Sequence, residues 1–192
     1  MNKSIKYILL AVGFVALLLA ATKGYDYLSD NYTAQTTQQQ VAKPDEKTTG
    51  AQEQKAPDFT VYDEAGNSVK LTGMQGKPVI VNFWATWCGY CVQEMPDFQK
   101  VYDEYGDKVN FMMINLTDGQ SETKDDVKAF LGKTEYTFPV YYDTELDATH
   151  TYGAYSIPRT FIIDAEGNIV YGASGPVSED TLVRYIKALI GE

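Results

Sequence analysis

The feature that most constrains this chain is one stretch, Val79 to Cys91, where an apolar run of strand character meets both cysteines of the protein. Val79, Ile80, Val81, Phe83 and Trp84 are β-branched or aromatic, interrupted only by Asn82, and read as a strand covered on both faces. Beyond Cys91 the apolar residues recur at Met95, Phe98, Tyr102 and Tyr105, the spacing of a helix. That junction places Cys88 at a helix N-terminus, where unpaired backbone N–H groups and the helix dipole favour an anion. The anion of a cysteine is its thiolate, the attacking species in disulfide exchange. Cys88 is therefore expected to be the nucleophile. Cys91, one turn further in, is expected to close the ring and release a mixed disulfide.

Other uses of the pair fit the residues less well. A zinc site usually takes four ligands, and two cysteines with the single histidine, His150, leave the set short. A structural disulfide stabilises by closing a long loop, which a two-residue spacer does not. Chance proximity would leave the strand before the pair and the helix after it without a purpose.

The front of the chain carries Lys3 and Lys6, followed by a run from Tyr7 to Ala21 without charge. A basic n-region and an apolar h-region read as an export signal. Tyr7 to Thr22 reaches roughly 24 Å at about 1.5 Å per residue, somewhat short of a hydrocarbon core of roughly 30 Å. Lys6 and Lys23 can snorkel at its two ends. No small-residue cleavage site stands out and no cysteine follows to carry a lipid. Residues 1–22 are thus expected to be an uncleaved signal anchor, with a cleaved signal peptide as the alternative, and the rest of the chain outside the cytoplasmic membrane. Thiols there tend to be oxidised, so a cysteine pair either oxidises others or is kept reduced from across the membrane.

Residues 23–55 are rich in Thr, Gln, Ala and Lys, with no aromatic residue after Tyr32, and are expected to be a disordered linker. The folded domain is expected over residues 56–192. It holds ten Lys and Arg against twenty-one Asp and Glu, which argues against nucleic acid or anionic lipid as a partner. Within it, Phe59–Tyr62 and Ser68–Leu71 flank a turn cluster and read as a hairpin. Val109–Leu116 reads as a strand, and a helix capped by Ser121 or Thr123 runs to about Gly132. Phe138–Tyr142 is a shorter strand, placed near a sheet edge by Pro139. One or two helical turns follow between Leu146 and Ser156. A second hairpin joins Thr160–Ile163 to Ile169–Ala173, and a last helix starts at Ser178 and stops at Gly191. The order predicts an α/β sandwich with a mixed central sheet.

The motif Phe83-Trp84-Ala85-Thr86-Trp87-Cys88 with Cys91, and Ile157-Pro158 downstream, resembles a thioredoxin fold. More narrowly, Ala56-Pro57-Asp58-Phe59, Glu94-Met95-Pro96 and the run Pro158 to Gly167 resemble the TlpA/ResA-like branch, membrane-anchored bacterial thiol–disulfide oxidoreductases that face outward. The resemblance implies a thioredoxin fold with an added N-terminal hairpin. It makes Cys88 the nucleophile, Cys91 the resolving thiol, and Glu94 an acidic residue beside the thiols that takes and returns protons. Pro158 matches the cis-proline facing the active site, Ile157 would pair its backbone with a client peptide, and Trp87 would flank the client sulfur.

The chain departs from relatives at two places. Asn82 stands where cytoplasmic thioredoxins bury an Asp, which leaves Glu94 as the available proton carrier. Gly89-Tyr90 between the cysteines resembles the pair found in periplasmic disulfide isomerases. The resemblance implies reduction of exported clients, such as apocytochrome c or methionine sulfoxide reductases, by a monomer fed from a membrane donor of the CcdA/DsbD type. No cofactor is expected beyond the Cys88–Cys91 disulfide. An oxidase or isomerase, and a binding module without turnover, remain alternatives. His150 is expected at the surface. Tyr141, Tyr142, Tyr152 and Tyr155 read as core by default, or as a groove.

Overall fold

The computed structural model describes residues 54–192. The expected signal anchor over 1–22 and the linker up to residue 53 lie outside the described residues. Backbone pairing begins at the first of them. The Ile169 N–H donates to the Gln54 carbonyl and the Ala56 N–H to the Gly167 carbonyl, both at 2.9 Å. The last linker residues are thereby laid along the second hairpin.

The elements follow in the order β1 (Thr60–Tyr62), β2 (Ser68–Lys70), a 3-10 turn (Leu71–Met74), β3 (Val79–Trp84), α1 (Gly89–Tyr105), β4 (Asn110–Asn115), α2 (Lys124–Leu131), β5 (Val140–Tyr142), α3 (Asp147–Tyr152), β6 (Arg159–Ile163), β7 (Ile169–Ser174) and α4 (Glu179–Ile190). The strands make one sheet in the order β2-β1-β5-β4-β3-β6-β7. β3, β4 and β5 are mutually parallel, and the remaining neighbours are antiparallel. This is the mixed sheet of a thioredoxin fold, extended at one edge by the hairpin β1–β2.

All six residues of β3 are buried, because the strand is central and covered on both faces. Side chains alternate along it. Ile80 and Trp84 enter one core with Cys91, Met95 and Phe98 of α1, Val127 of α2, and Leu182 and Ile186 of α4. Val79, Val81 and Phe83 enter the other, with Leu71, Ala148 and Tyr152. Asn82 shares the parity of Ile80 and Trp84, so its polar side chain is sent under α1, into the apolar layer.

Two hairpin turns repeat one device. In Asp63–Asn67 and in Asp164–Asn168, the Asp carboxylate accepts from the backbone and side-chain N–H of the Asn four residues on. Gly66 and Gly167 both take φ 86, which a side chain would resist. Thr123 caps α2 in a reciprocal capping box with Asp126.

Two sequence expectations need correction. Pro139 does not mark a sheet edge. β5 is interior, paired with β1 through Tyr62 and Tyr142 on one side and with β4 on the other. The proline stands just before the strand, where its missing N–H costs no ladder bond, and its carbonyl accepts from the Met113 N–H at 3.3 Å. The N-terminal hairpin takes the edge instead. Ser178 occupies the N-cap position of α4, but its hydroxyl makes no capping bond. The Glu179 N–H donates to the Asp97 carboxylate of α1 at 3.3 Å, so a neighbouring helix supplies the acceptor.

Candidate active site

Strand β3 ends at Trp84, and Ala85 to Cys88 turn the chain directly into α1. The Cys88 N–H closes that turn on the Ala85 carbonyl at 3.2 Å. Cys88 is the N-cap of α1, and its Sγ accepts from the Cys91 N–H at 3.2 Å. That N–H is one of the donors a helix start leaves free, and it is aimed at the Cys88 sulfur. The two cysteines are joined by a disulfide, with the sulfurs 2.06 Å apart. Cys88 keeps 7% of its surface exposed and Cys91 none. A bulky reaction partner can reach only the first sulfur.

The rim around Cys88 is aromatic. Among the described residues the exposed large hydrophobic side chains are Trp87, Tyr90, Tyr155 and Val170. Trp87 precedes Cys88, Tyr90 lies between the cysteines, and Tyr155 leads into the segment that faces them. That segment is placed by the sheet. β6 pairs antiparallel with β3, Arg159 opposite Phe83, so Ile157 and Pro158 arrive beside the end of β3 where the cysteines begin. The Ile157–Pro158 peptide bond is cis. Pro158 is buried, and half-buried Ile157 packs against both cores.

Glu94 lies one helical turn beyond Cys91 on the same face of α1, with only 4% of its surface exposed. Its two oxygens are held by different elements. Oε1 accepts from Asn82 Nδ2 of β3 at 2.8 Å, and Oε2 from the Val177 N–H, just before α4, at 2.8 Å. The same Nδ2 of Asn82 also donates to Thr160 Oγ1 of β6 at 3.0 Å. Burial pushes the Glu94 carboxyl up to about 7, the Val177 and Asn82 bonds offset part of the rise, and the Asp97 charge adds to it. A carboxyl that changes charge near neutrality, one helical turn from Cys91, has the chemistry to give or take a proton.

Two further carboxylates, neither given a role from the sequence, are also buried. Glu122, 1% exposed, accepts from the Thr86 N–H at 3.1 Å, the Thr86 hydroxyl at 2.9 Å and Asn115 Nδ2 at 3.1 Å. It thereby ties down the turn that presents Trp87 and Cys88. Asp143, also 1% exposed, accepts from the Ala148 N–H, the Thr149 N–H and the Thr149 hydroxyl at the start of α3. Glu122 sits in a polar loop with no periodic signal around it. Asp143 stands five residues before its first N–H partner, outside the usual capping spacing. Neither position carries a local signature.

The four tyrosines do not share a groove. Tyr142 joins the core under α1, Tyr141 and Tyr152 join the other core, and Tyr155 faces solvent. His150 is exposed in the last turn of α3, its ring 5.9 Å from that of Tyr155. Among the described residues no three His, Cys, Asp or Glu side chains converge as a metal-binding group, and no helix is long and apolar enough to cross a membrane.

The fold and the cysteine pair can be set beside known proteins. The Redoxin family model matches residues 51–189. The chain is 30% identical to the thiol–disulfide oxidoreductase ResA of Geobacillus thermodenitrificans over 176 residues, 91% of this chain and 92% of that protein. It is 40% identical to the thioredoxin-like protein YneN of Bacillus subtilis over 124 residues, 64% of this chain and 72% of that one. Among solved structures, a thiol:disulfide interchange protein of the thioredoxin family from Chlorobium tepidum is similar. The TM-score is 0.63 at 29% identity, covering 74% of this chain and all of that one. With a family model over most of the chain and a relative aligned almost end to end, the protein belongs to the Redoxin family, in the TlpA/ResA-like branch of the thioredoxin superfamily, and is a thiol–disulfide oxidoreductase.

Proposed function

We propose that Cys88 and Cys91 form the redox centre of an outward-facing, membrane-anchored reductase that opens disulfides in exported proteins. The observation that carries this reading is the asymmetry of the pair. Cys88 reaches the surface at a helix N-cap between exposed Trp87 and Tyr90, while Cys91 is sealed. In the reduced protein, the helix start and the Cys91 N–H favour a thiolate at Cys88. That thiolate attacks one sulfur of a client disulfide. A mixed disulfide forms between Cys88 and the client, and the second client sulfur leaves as a thiolate and takes up a proton.

The Cys91 thiol then loses its proton to Glu94 and attacks the Cys88 sulfur. The Cys88–Cys91 disulfide closes, and the first client sulfur leaves as a thiol after protonation. Two electrons have passed from the pair to the client. A membrane donor of the CcdA/DsbD type would return them, and Glu94 would hand back the proton. During attack, Ile157 beside the cis-proline offers backbone groups to the client strand and Trp87 flanks its sulfur. Apocytochrome c cysteines and methionine sulfoxide reductases are the client classes that suit an outward-facing reductase. The uncharged run Tyr7–Ala21 behind a basic start supports the outward orientation.

The test is a pair of variants in whole cells. With Cys91→Ser the mixed disulfide has no resolving thiol, so clients should accumulate covalently on Cys88 and be identified by mass spectrometry. With Cys88→Ser they should not. A membrane-impermeant thiol reagent should label Cys88 in intact, reduced cells. Capture by Cys91 in place of Cys88 overturns the assignment of roles, and labelling only after lysis overturns the orientation.

A further inference from the structure

We propose that Asn82 is a positioning residue for proton transfer, whose side-chain amide turns over each time Glu94 changes charge, with Thr160 exchanging from acceptor to donor. The proposal rests on the reading of Glu94 as the proton carrier.

Donors and acceptors must match in both charge states of the carboxyl. In the arrangement present, both Glu94 oxygens face donors, Asn82 Nδ2 on one side and the Val177 N–H on the other. That suits a carboxylate. A protonated Glu94 has an O–H to place, and neither partner can accept it. The Val177 N–H belongs to the backbone and cannot reverse. The Asn82 amide can, because a half turn about its last torsion puts Oδ1 where Nδ2 stood. Oδ1 then accepts from the Glu94 O–H.

The same turn is compatible with Thr160. Its hydroxyl now accepts from Nδ2 at 3.0 Å, and a hydroxyl can equally donate to Oδ1. At the far end of the amide nothing is broken, since Asn82 Oδ1 is buried with no hydrogen-bond partner among the described residues. Both charge states of Glu94 therefore keep two hydrogen bonds, and the amide leaves Oδ1 unpartnered in one and Nδ2 in the other. Val177 locks one carboxyl oxygen and Asn82 serves the other in either state.

The other ionisable groups around the carboxyl are few. On α1 they are Asp97, whose charge bears on Glu94, and the Cys88–Cys91 pair. On β7 there is Tyr171, whose hydroxyl is pushed upward chiefly by burial. β3 presents the uncharged Asn82 to it, with Thr160 of β6 behind that amide. With the disulfide closed, a titration of Glu94 near neutrality is read without the thiols.

The experiment is NMR on the labelled, oxidised full-length chain between pH 5 and 9. The Glu94 carboxyl carbon reports its charge, and the Asn82 side-chain amide protons report their orientation through contacts with the Thr160 side chain. We expect the Asn82 contacts with Thr160 to weaken as pH falls, with the midpoint of the Glu94 carbon. In Glu94→Gln the remaining side-chain oxygen must take the Val177 N–H, and the new amide must donate toward Asn82. The Asn82 signals of that variant should resemble the low-pH form of the wild type at every pH. A Glu94 carbon that titrates while the Asn82 contacts stay fixed overturns the turnover and leaves Glu94 as the proton carrier. A Glu94 carbon that does not titrate in this range overturns the reading of Glu94 and the turnover with it.

Discussion

Glu94 and Asp143 are both nearly sealed, at 4% and 1% exposure, yet their surroundings differ in kind. Asp143 accepts three hydrogen bonds, two of them from backbone N–H groups at the start of α3. Those two N–H groups are fixed donors that favour the carboxylate. Glu94 accepts two, and one comes from an amide that can reverse. Burial raises the proton affinity of both carboxyls, and it is the first cause at each. What separates them is how many fixed backbone donors hold the charge, two at Asp143 and one at Glu94. Asp143 holds the start of α3, whereas Glu94 sits a turn from Cys91 with a carboxyl placed to titrate.

The largest effect expected is on disulfide exchange. Glu94→Gln keeps shape and hydrogen bonding but cannot carry a proton, and should slow exchange roughly 10- to 1,000-fold, the range of one lost acid–base group. It should also flatten the pH profile of exchange around neutrality. Asp143→Asn should leave both the rate and the profile as they are. Equal slowing by the two variants would remove the distinction between a proton carrier and a cap.

Stability should respond the other way round. Asp143→Ala strands two buried N–H groups and a hydroxyl, at about 1–3 kcal/mol for each unsatisfied group that water does not reach. A loss of roughly 3 kcal/mol in chemical denaturation is expected. For Glu94 the sign follows from its raised carboxyl, ordinarily at 4.5 and pushed up to about 7. Between these values the folded protein binds a proton that the unfolded chain does not. The stabilising contribution is complete below pH 4.5 and is lost as pH rises through 7. The shift corresponds to about 3 kcal/mol. Oxidised wild-type protein should therefore lose stability from pH 5 to 8 by up to about that amount, and Glu94→Gln should lack this slope. A wild-type slope no different from that of Glu94→Gln would remove the raised Glu94 carboxyl.

Much of this frame was legible in the sequence, because it rests on patterns with a period. The buried run Val79–Trp84, the helical spacing after Cys91 and the turn clusters Asp63–Asn67 and Asp164–Asn168 each carry a local signal that packing reinforces. The central sheet and the junction that holds the cysteines follow from them. The position of β5 did not, because which strand becomes an edge depends on where the N-terminal hairpin folds back. The partners of the buried carboxylates were out of reach for a similar reason. Glu94 meets Asn82 only because β3 alternates and α1 crosses over it, and it meets Val177 only because α4 returns beside α1. Glu122 reaches Thr86 across thirty-six positions of sequence. Hydrogen bonds of that span are fixed by topology and leave no mark on spacing.

The smallest effect expected concerns that third carboxylate, and it tests the principle behind the comparison. Glu122 Oε1 accepts from the Thr86 N–H and from Asn115 Nδ2, while Oε2 accepts from the Thr86 hydroxyl. In Glu122→Gln the remaining oxygen can keep both N–H bonds. The new amide nitrogen then faces a hydroxyl, which can accept as readily as donate. No buried group is stranded, so stability should change by less than about 1 kcal/mol. The turn before Cys88 should hold its place, and exchange should stay within roughly twofold of wild type, a change of about 0.4 kcal/mol in the barrier. Glu122→Ala, by contrast, should destabilise the fold, since it strands the Thr86 N–H. If Glu122→Gln alone slowed exchange tenfold or more, the negative charge of Glu122 would itself be acting on Cys88. Burial with satisfied hydrogen bonds would then not be enough to mark a carboxylate as structural in this protein.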